Sequence, residues 1–265
     1  LRDYPTNITA ISDDGRLYHA ALLLAVGQVP PTEAVLAQLN ATNSPDQTRR
    51  LAGALRTLIA AVKRETITAP AAPRCATEFL AASYYEQSRG IRERSLAAAL
   101  ALAQAAVSNS PNSGFAWERV AELEFSFGRT GPALDALERS LKLSPRNAQA
   151  LALKGFILSA QNEPRAAIQW FDRALAVDAA LGNAWLGRGI ARIRIRDLKG
   201  GREDLLVAAA LEPQRAELRS YLGKAYTAAG DDAHATKELD LAKKLDPNDP
   251  TAWLYSALHK QQNNQ

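Results

Sequence analysis

The 265-residue chain contains no methionine and a single cysteine, Cys75. One thiol forms no intramolecular disulfide, so the fold is not a disulfide scaffold and rests on its apolar core. The absence of Met predicts a processed or excised piece of a longer product. Aromatic residues make up only 6% of the chain, while hydrophobic residues total 47%. This is a globular composition biased toward small residues, not a disordered or collagen-like one. An excess of one charge is lacking too: 32 Lys and Arg against 28 Asp and Glu leave +4. So weak a field predicts no nucleic-acid partner, which would call for basic residues gathered on one face. Apolar runs such as Ala20–Val26 fall far below the ~20 residues that span a bilayer, which predicts no membrane insertion. That run follows Asp13 and Asp14 rather than a basic segment, so a core helix is expected there, not a secretory leader.

What the sequence does contain is a period. Pro111, Pro145, Pro213 and Pro247 are spaced 34, 68 and 34 residues apart, with Ala179 in the skipped slot. Trp117, Trp185 and Trp253 are each two periods apart. Units of 34 residues then run 114–147, 148–181, 182–215 and 216–249. Their eighth places hold Ala121, Gly155, Gly189 and Gly223, followed by Ala257. Their twentieth places hold Ala133, Ala167, Gly201 and Ala235, and their twenty-seventh Ser140, Ala174, Ala208 and Ala242. The twenty-fourth places hold Leu137, Phe171, Leu205 and Leu239. Small residues recur where helices approach closely and large ones where a knob fills the gap. Gly128–Pro132, Asn162–Pro164, Arg196–Asp197 and Gly230–Asp232 carry helix-stop and N-cap chemistry. Each unit therefore reads as helix, turn, helix, ended at its proline slot.

This pattern resembles the tetratricopeptide repeat over roughly residues 80–265. The resemblance implies an all-α fold, a right-handed α-solenoid of stacked helix–turn–helix repeats. Unit 80–113 fits in its second half through Ala99, Ala103, Ala106 and Pro111, but has Gln87 at the small-residue place. Residues 250–265 supply a first helix only. Residues 1–75 are read as an N-terminal helical section, a degenerate repeat plus an extra helix, followed by the array over 76–265. The segments Gly114–Leu137 and Asn183–Gly189 also resemble the repeat region of large bacterial envelope proteins that join a FecR-like domain to such repeats. That likeness implies an extracytoplasmic, periplasmic setting.

No catalytic constellation emerges, and the expectation is no enzyme, no cofactor and no metal. His19, His234 and His259 lack metal-ligand spacing and are expected in solvated or capping roles. Gly187 and Gly189 are read as packing glycines, since no strand precedes them to make a dinucleotide turn. Glu118 and Glu122 share a helix face and are read as a groove-lining acidic pair. Arg188, Arg192 and Arg196 form one stripe. It is read as structural, paired to carboxylates such as Glu203, Asp204 or Glu163, with an anion or partner site as the alternative.

The resemblance places first helices on a concave side. The expected peptide-binding residues there are Phe115, Glu118, Glu122, Phe125, Gln149, Phe156, Asn183, Leu186, Ile190, Arg194 and Lys224, with Ile193, Glu217, Ser220 and Thr227 beside them. Glu118 and Glu122 occupy the places where the family's dicarboxylate clamp needs Lys and Asn, which disfavours chaperone tails. The reading is a non-catalytic scaffold that binds a partner's peptide or helix. The alternatives are an architectural spacer within a larger envelope protein and, third, a small-ligand or metal binder. Leu254 and Leu258 fall where a following unit would cover them, which predicts weak self-association through the C-terminal helix.

Overall fold

The period is visible in where helices begin. In the computed structural model, first helices start at Gly114, Ala148, Gly182, Ala216 and Pro250, and second helices at Thr130, Pro164, Leu198 and Asp232, each series in steps of 34. The structure describes residues 12–39, 45–68, 71–89 and 95–262, and among these residues every element is an α-helix. The chain divides into two compact units, residues 1–128 and 129–265.

The first unit holds α1 (Asp13–Ala25), α2 (Val29–Ala37), α3 (Asp46–Lys63), α4 (Ala76–Ser88), α5 (Ser95–Asn109) and α6 (Gly114–Ser126). Leu17, Ala20, Val35, Leu36, Ala52 and Ile59 pack α1, α2 and α3 into one core cluster. The apolar run beginning at Ala20 lies in α1 and ends at its C-cap, Val26. Asp14 in the first turn of α1 accepts from the Thr48 hydroxyl of α3. Arg50 then ties α3 to α4 through Glu78 at 2.6 Å, and the Glu78 carboxylate also accepts from the Cys75 amide at 3.0 Å. This is a capping box in which Cys75 is the N-cap.

Helix α4 departs from the 80–113 frame. It starts at Ala76, so its eighth residue is Ser83, which is fully buried, rather than Gln87. The Ser83 hydroxyl donates to the Ala99 carbonyl at 2.8 Å. Ala99 sits at the twentieth place, so the close approach of first and second helix is preserved with the small residue supplied four positions earlier.

The second unit holds α7 (Thr130–Leu143), α8 (Ala148–Ala160), α9 (Pro164–Val177), α10 (Gly182–Arg194), α11 (Leu198–Leu211), α12 (Ala216–Ala228), α13 (Asp232–Leu245) and α14 (Pro250–Gln262). Each helix from α7 packs on the next, and the first helices α8, α10, α12 and α14 also touch one another in order. They form one continuous row in this unit. The turns use left-handed backbone at the same place each time: Asn162 (φ 63°), Arg196 (φ 70°) and Gly230 (φ 73°). There the amide of the following residue bonds back to Leu158, Arg192 or Tyr226 at 2.9 to 3.0 Å, which closes the helix end.

The recurring small and large residues are the core. Ala167, Ala174, Leu205, Ala208, Ala235 and Ala242 are all buried without residual exposure. Phe171 is the one aromatic knob in its series, and two glycines accommodate it: a Cβ at Gly155 would lie 2.7 Å from its ring. Gly187 faces the same ring from α10. The paired glycines of α10 are thus packing residues.

The tryptophan spacing also has a structural cause. Each indole Nε1 donates to a carbonyl six residues earlier: Trp117 to Pro111 at 2.8 Å, Trp185 to Ala179 at 2.8 Å and Trp253 to Pro247 at 2.9 Å. The bond fastens the bend between successive repeats, satisfying a carbonyl that no helix uses. At the end of the second unit, α14 leaves Leu254 and Leu258 56% and 44% exposed.

Candidate functional site

The row of first helices in the second unit, with the start of α11, builds a cavity of about 240 Å³. Ile190, Ile193 and Arg194 come from α10, Leu198 from the start of α11, Tyr221, Lys224, Ala225 and Ala228 from α12, and Tyr255 from α14. The four- and seven-residue spacings keep Tyr221, Lys224, Ala225 and Ala228 on one face of α12. The floor is aliphatic, with the tyrosine rings meeting edge to face, centroids 5.7 Å apart.

Two cations stand in the lining. Lys224 Nζ donates to the Tyr255 hydroxyl at 3.3 Å and lies 4.6 Å from the centre of that ring. Arg194 Nη1 donates to the Ser159 carbonyl at 2.7 Å. Burial raises the Tyr221 hydroxyl above the usual phenol range, and Tyr255 beside it pushes the same way. The cavity therefore presents two tyrosine hydroxyls and two cations over an apolar floor.

Of the residues expected in a groove, the structure brings Ile190, Arg194 and Lys224 together here, with Ile193. Gln149 is exposed near the start of α8. Phe156 rests edge-on against Phe171, centroids 5.0 Å apart, and is half-buried. Asn183 accepts from Arg215 at 2.6 Å, while Arg215 also holds Glu217 at 2.7 Å. Two fifth-place residues, Leu186 and Ser220, are corrections. Both are buried, Leu186 within the core formed with Leu205, Leu218 and Leu222. The fifth place turns toward the interior, and the sixth place, held by Tyr221 and Tyr255, faces the cavity. Two tyrosines 34 residues apart were the sequence signal for this. Thr227 is engaged by His259 Nδ1 at 3.0 Å, and the other ring nitrogen meets Thr236 at 3.2 Å. Thus His259 is buried between two threonines rather than solvated. His234 does bond to the capping Asp231, at 2.9 Å.

The arginine stripe separates into two roles. Arg188 pairs with Asp204 at 2.7 Å and Asp172 at 2.6 Å, and Arg192 with Asp204 at 3.0 Å. The buried Asp204 is the shared partner, so these two guanidiniums are structural. Arg196 instead occupies the left-handed turn and is exposed.

The remaining expected residues lie in the first unit. Phe115 is exposed, and Phe125 is half-buried. Glu118 is a further correction: only 6% exposed, it lines no open surface. Its neighbour Arg119 is fully buried and grips Glu122 at 2.7 Å. Its guanidinium lies 3.8 Å from the Tyr84 ring centre. Burial pushes the Glu118 carboxyl up to about 8, helped by the like charge on Glu122 and opposed by Arg119.

That shift has a measurable sign. An unfolded Glu releases its proton near ~4.3, whereas folded Glu118 keeps it to about 8. Between those values the folded state binds more protons, so stability falls as pH rises. Glu118→Gln is expected to be more stable than the parent near pH ~8 and to lose that advantage near pH ~5. Urea unfolding of both proteins at the two pH values checks this; a constant difference would place Glu118 in contact with water.

Among the described residues, no group of three or more His, Cys, Asp or Glu side chains is placed to hold a metal ion. No helix there is long and apolar enough to cross a membrane.

Three solved structures share the architecture. TTC0263, a thermophilic tetratricopeptide-repeat protein of Thermus thermophilus, is 19% identical over 69% of this chain and 98% of its own, with a TM-score of 0.60. PilW, a widely conserved type IV pilus biogenesis factor, is 19% identical over 72% of this chain and 94% of its own, at a TM-score of 0.55. PilF of Pseudomonas aeruginosa is 13% identical over 92% and 96%, at 0.54. At such identities the likeness is one of fold, and the fold of this chain is that of tetratricopeptide-repeat proteins. No protein-family model matches the sequence, and no curated protein matches it.

Proposed function

We propose that this chain, with its tetratricopeptide-repeat fold, is a non-catalytic protein-interaction scaffold that takes a partner's peptide segment on the first helices of its second unit. The observation that carries the reading is the cavity between α10, α12 and α14. Its volume of about 240 Å³ falls below the ~300–1,000 Å³ of clefts that enclose a whole small ligand. It suits one side chain of a longer molecule. An apolar anchor in a pocket, with polar groups around the mouth, is how a short segment gains both affinity and register. Tyrosine supports this use, because its ring offers contact area at low entropic cost while the hydroxyl stays available.

Site-specific photo-crosslinking tests the reading. A photoreactive residue at Ala228, in the cavity lining, is compared in native extract with one at Glu203, exposed on α11. The expected result is a discrete protein adduct from Ala228 alone, lost when Ile190→Glu is added to a protein whose circular dichroism is unchanged. Equal labelling from both sites, or an adduct insensitive to Ile190→Glu, favours the spacer reading, in which the repeats only hold neighbouring domains apart.

A further inference from the structure

We infer that the segment this cavity accepts is acidic: an aliphatic or aromatic side chain flanked by Asp or Glu residues. The inference rests on the peptide-groove reading above and adds the chemistry of the occupant.

The first observation is a contrast among the cations of α10 and α12. Arg188, Arg192 and Arg219 each hold a carboxylate, at distances from 2.6 to 3.1 Å. Arg194 and Lys224 hold none among the described residues. One is anchored by a carbonyl and the other by a phenol oxygen. Both line the same cavity, and no Asp or Glu lines it. Positive charge is thus left uncompensated at this cavity while it is neutralised elsewhere on the same helices.

The second observation is how those cations are held. The carbonyl of Ser159 engages one guanidinium N–H of Arg194, which leaves the other donors of a five-donor group at the mouth. Lys224 donates to the Tyr255 oxygen, so the Tyr255 hydroxyl proton points away from the ammonium. A carboxylate placed there accepts from both Lys224 and Tyr255, a charge-assisted arrangement stronger than either bond between neutral groups. Arg194 stands on α10 and Lys224 on α12, with Ile193 and Ala225 also in the lining. The two cations thus reach the cavity from different helices, which suits two anionic groups in the bound segment rather than one.

The occupant proposed is an internal acidic stretch, in which cations on two different helices each meet a side-chain carboxylate. Blocking both termini of the probe therefore leaves recognition intact.

Fluorescence anisotropy with the full chain tests the inference. The probe is a labelled peptide blocked at both ends, Gly-Glu-Glu-Leu-Glu-Glu-Gly, compared with versions carrying Gln for every Glu or Ala for Leu. Saturable binding by the acidic peptide is expected, weakened about tenfold or more in either altered peptide, and weakened by salt. Arg194→Gln and Lys224→Gln, both at exposed side chains that should leave circular dichroism unchanged, are each expected to cost roughly fivefold to tenfold. If the Gln peptide binds as tightly as the Glu peptide and Ile190→Glu abolishes both, the acidic assignment is overturned while the groove stands. Binding by the acidic peptide that ignores both cation substitutions overturns the assignment of these residues. Absence of binding by any of the three peptides at ~1 mM overturns the inference, and the crosslinking experiment then decides the groove separately.

Discussion

Arg119→Met is expected to destabilise the first unit by about 3–5 kcal/mol, the range found when one partner of a buried charge network is removed. Arg119 is fully buried in α6. Its Nε donates to the Ser83 hydroxyl at 3.0 Å, and Nη2 to the Ser83 carbonyl at 3.1 Å. Its Nη1 reaches Glu122 at 2.7 Å, and its face covers Tyr84. Methionine replaces the stem but none of the donors. The substitution leaves the Ser83 hydroxyl and carbonyl without these bonds and Glu122 without its cation. Denaturant unfolding at neutral pH measures the loss. Adding Glu122→Gln to Arg119→Met should restore part of it, because a neutral amide replaces the carboxylate that Arg119 had paired. A midpoint unchanged from the parent would show that Arg119 is not the tie between α4 and α6.

The second large effect is steric. Gly201→Val is expected to cost about 3 kcal/mol, at the upper end for overpacking, because the obstruction is backbone. A Cβ at Gly201 would lie 2.6 Å from Ile193 Cγ1 and 2.8 Å from the Gly189 carbonyl oxygen. The contact is mutual, since a Cβ at Gly189 would lie 2.9 Å from the Gly201 carbonyl. Neither helix relieves it without α10 and α11 moving apart. Ile193 also lines the cavity, so the same substitution should weaken peptide binding. Gly131→Ala is the control: a Cβ there meets nothing within 4 Å, and the gain in helix propensity makes it neutral or stabilising by up to ~1 kcal/mol. Thermal unfolding of the two variants side by side checks the pair. Equal melting temperatures would mean that α10 and α11 do not make the close approach.

The division between local and tertiary causes runs through particular residues. The 34-residue period determined the helices, because each repeat solves the same nearest-neighbour packing problem with the same small and large places. Ala167, Ala174 and Leu239 are buried as that pattern requires. Turn chemistry at Gly230-Asp231 and Asn162 likewise acts within a few residues and was readable directly. The pairing of Arg188 and Arg192 with Asp204 followed from helix spacing and the neighbouring acidic residues.

What only the tertiary structure decided is where side chains outside the recurring places point. α4 begins four residues ahead of the frame, which puts Ser83 rather than Gln87 against Ala99. Nothing local distinguishes the two registers, since only packing on α5 rewards the smaller residue. Glu118 and Leu186 share a helix face with the groove candidates, yet both are buried. A helix face is read from spacing, whereas its exposure depends on which neighbours close over it. Arg119 shows the same limit from the other side: a charged residue buried because Ser83, Tyr84 and Glu122 arrive together from two helices. The cavity arose likewise, from Tyr255 on α14 meeting Tyr221 and Lys224 on α12. The period sets the order of the helices; the side chains that differ from repeat to repeat, placed against one another, make the surface a partner meets.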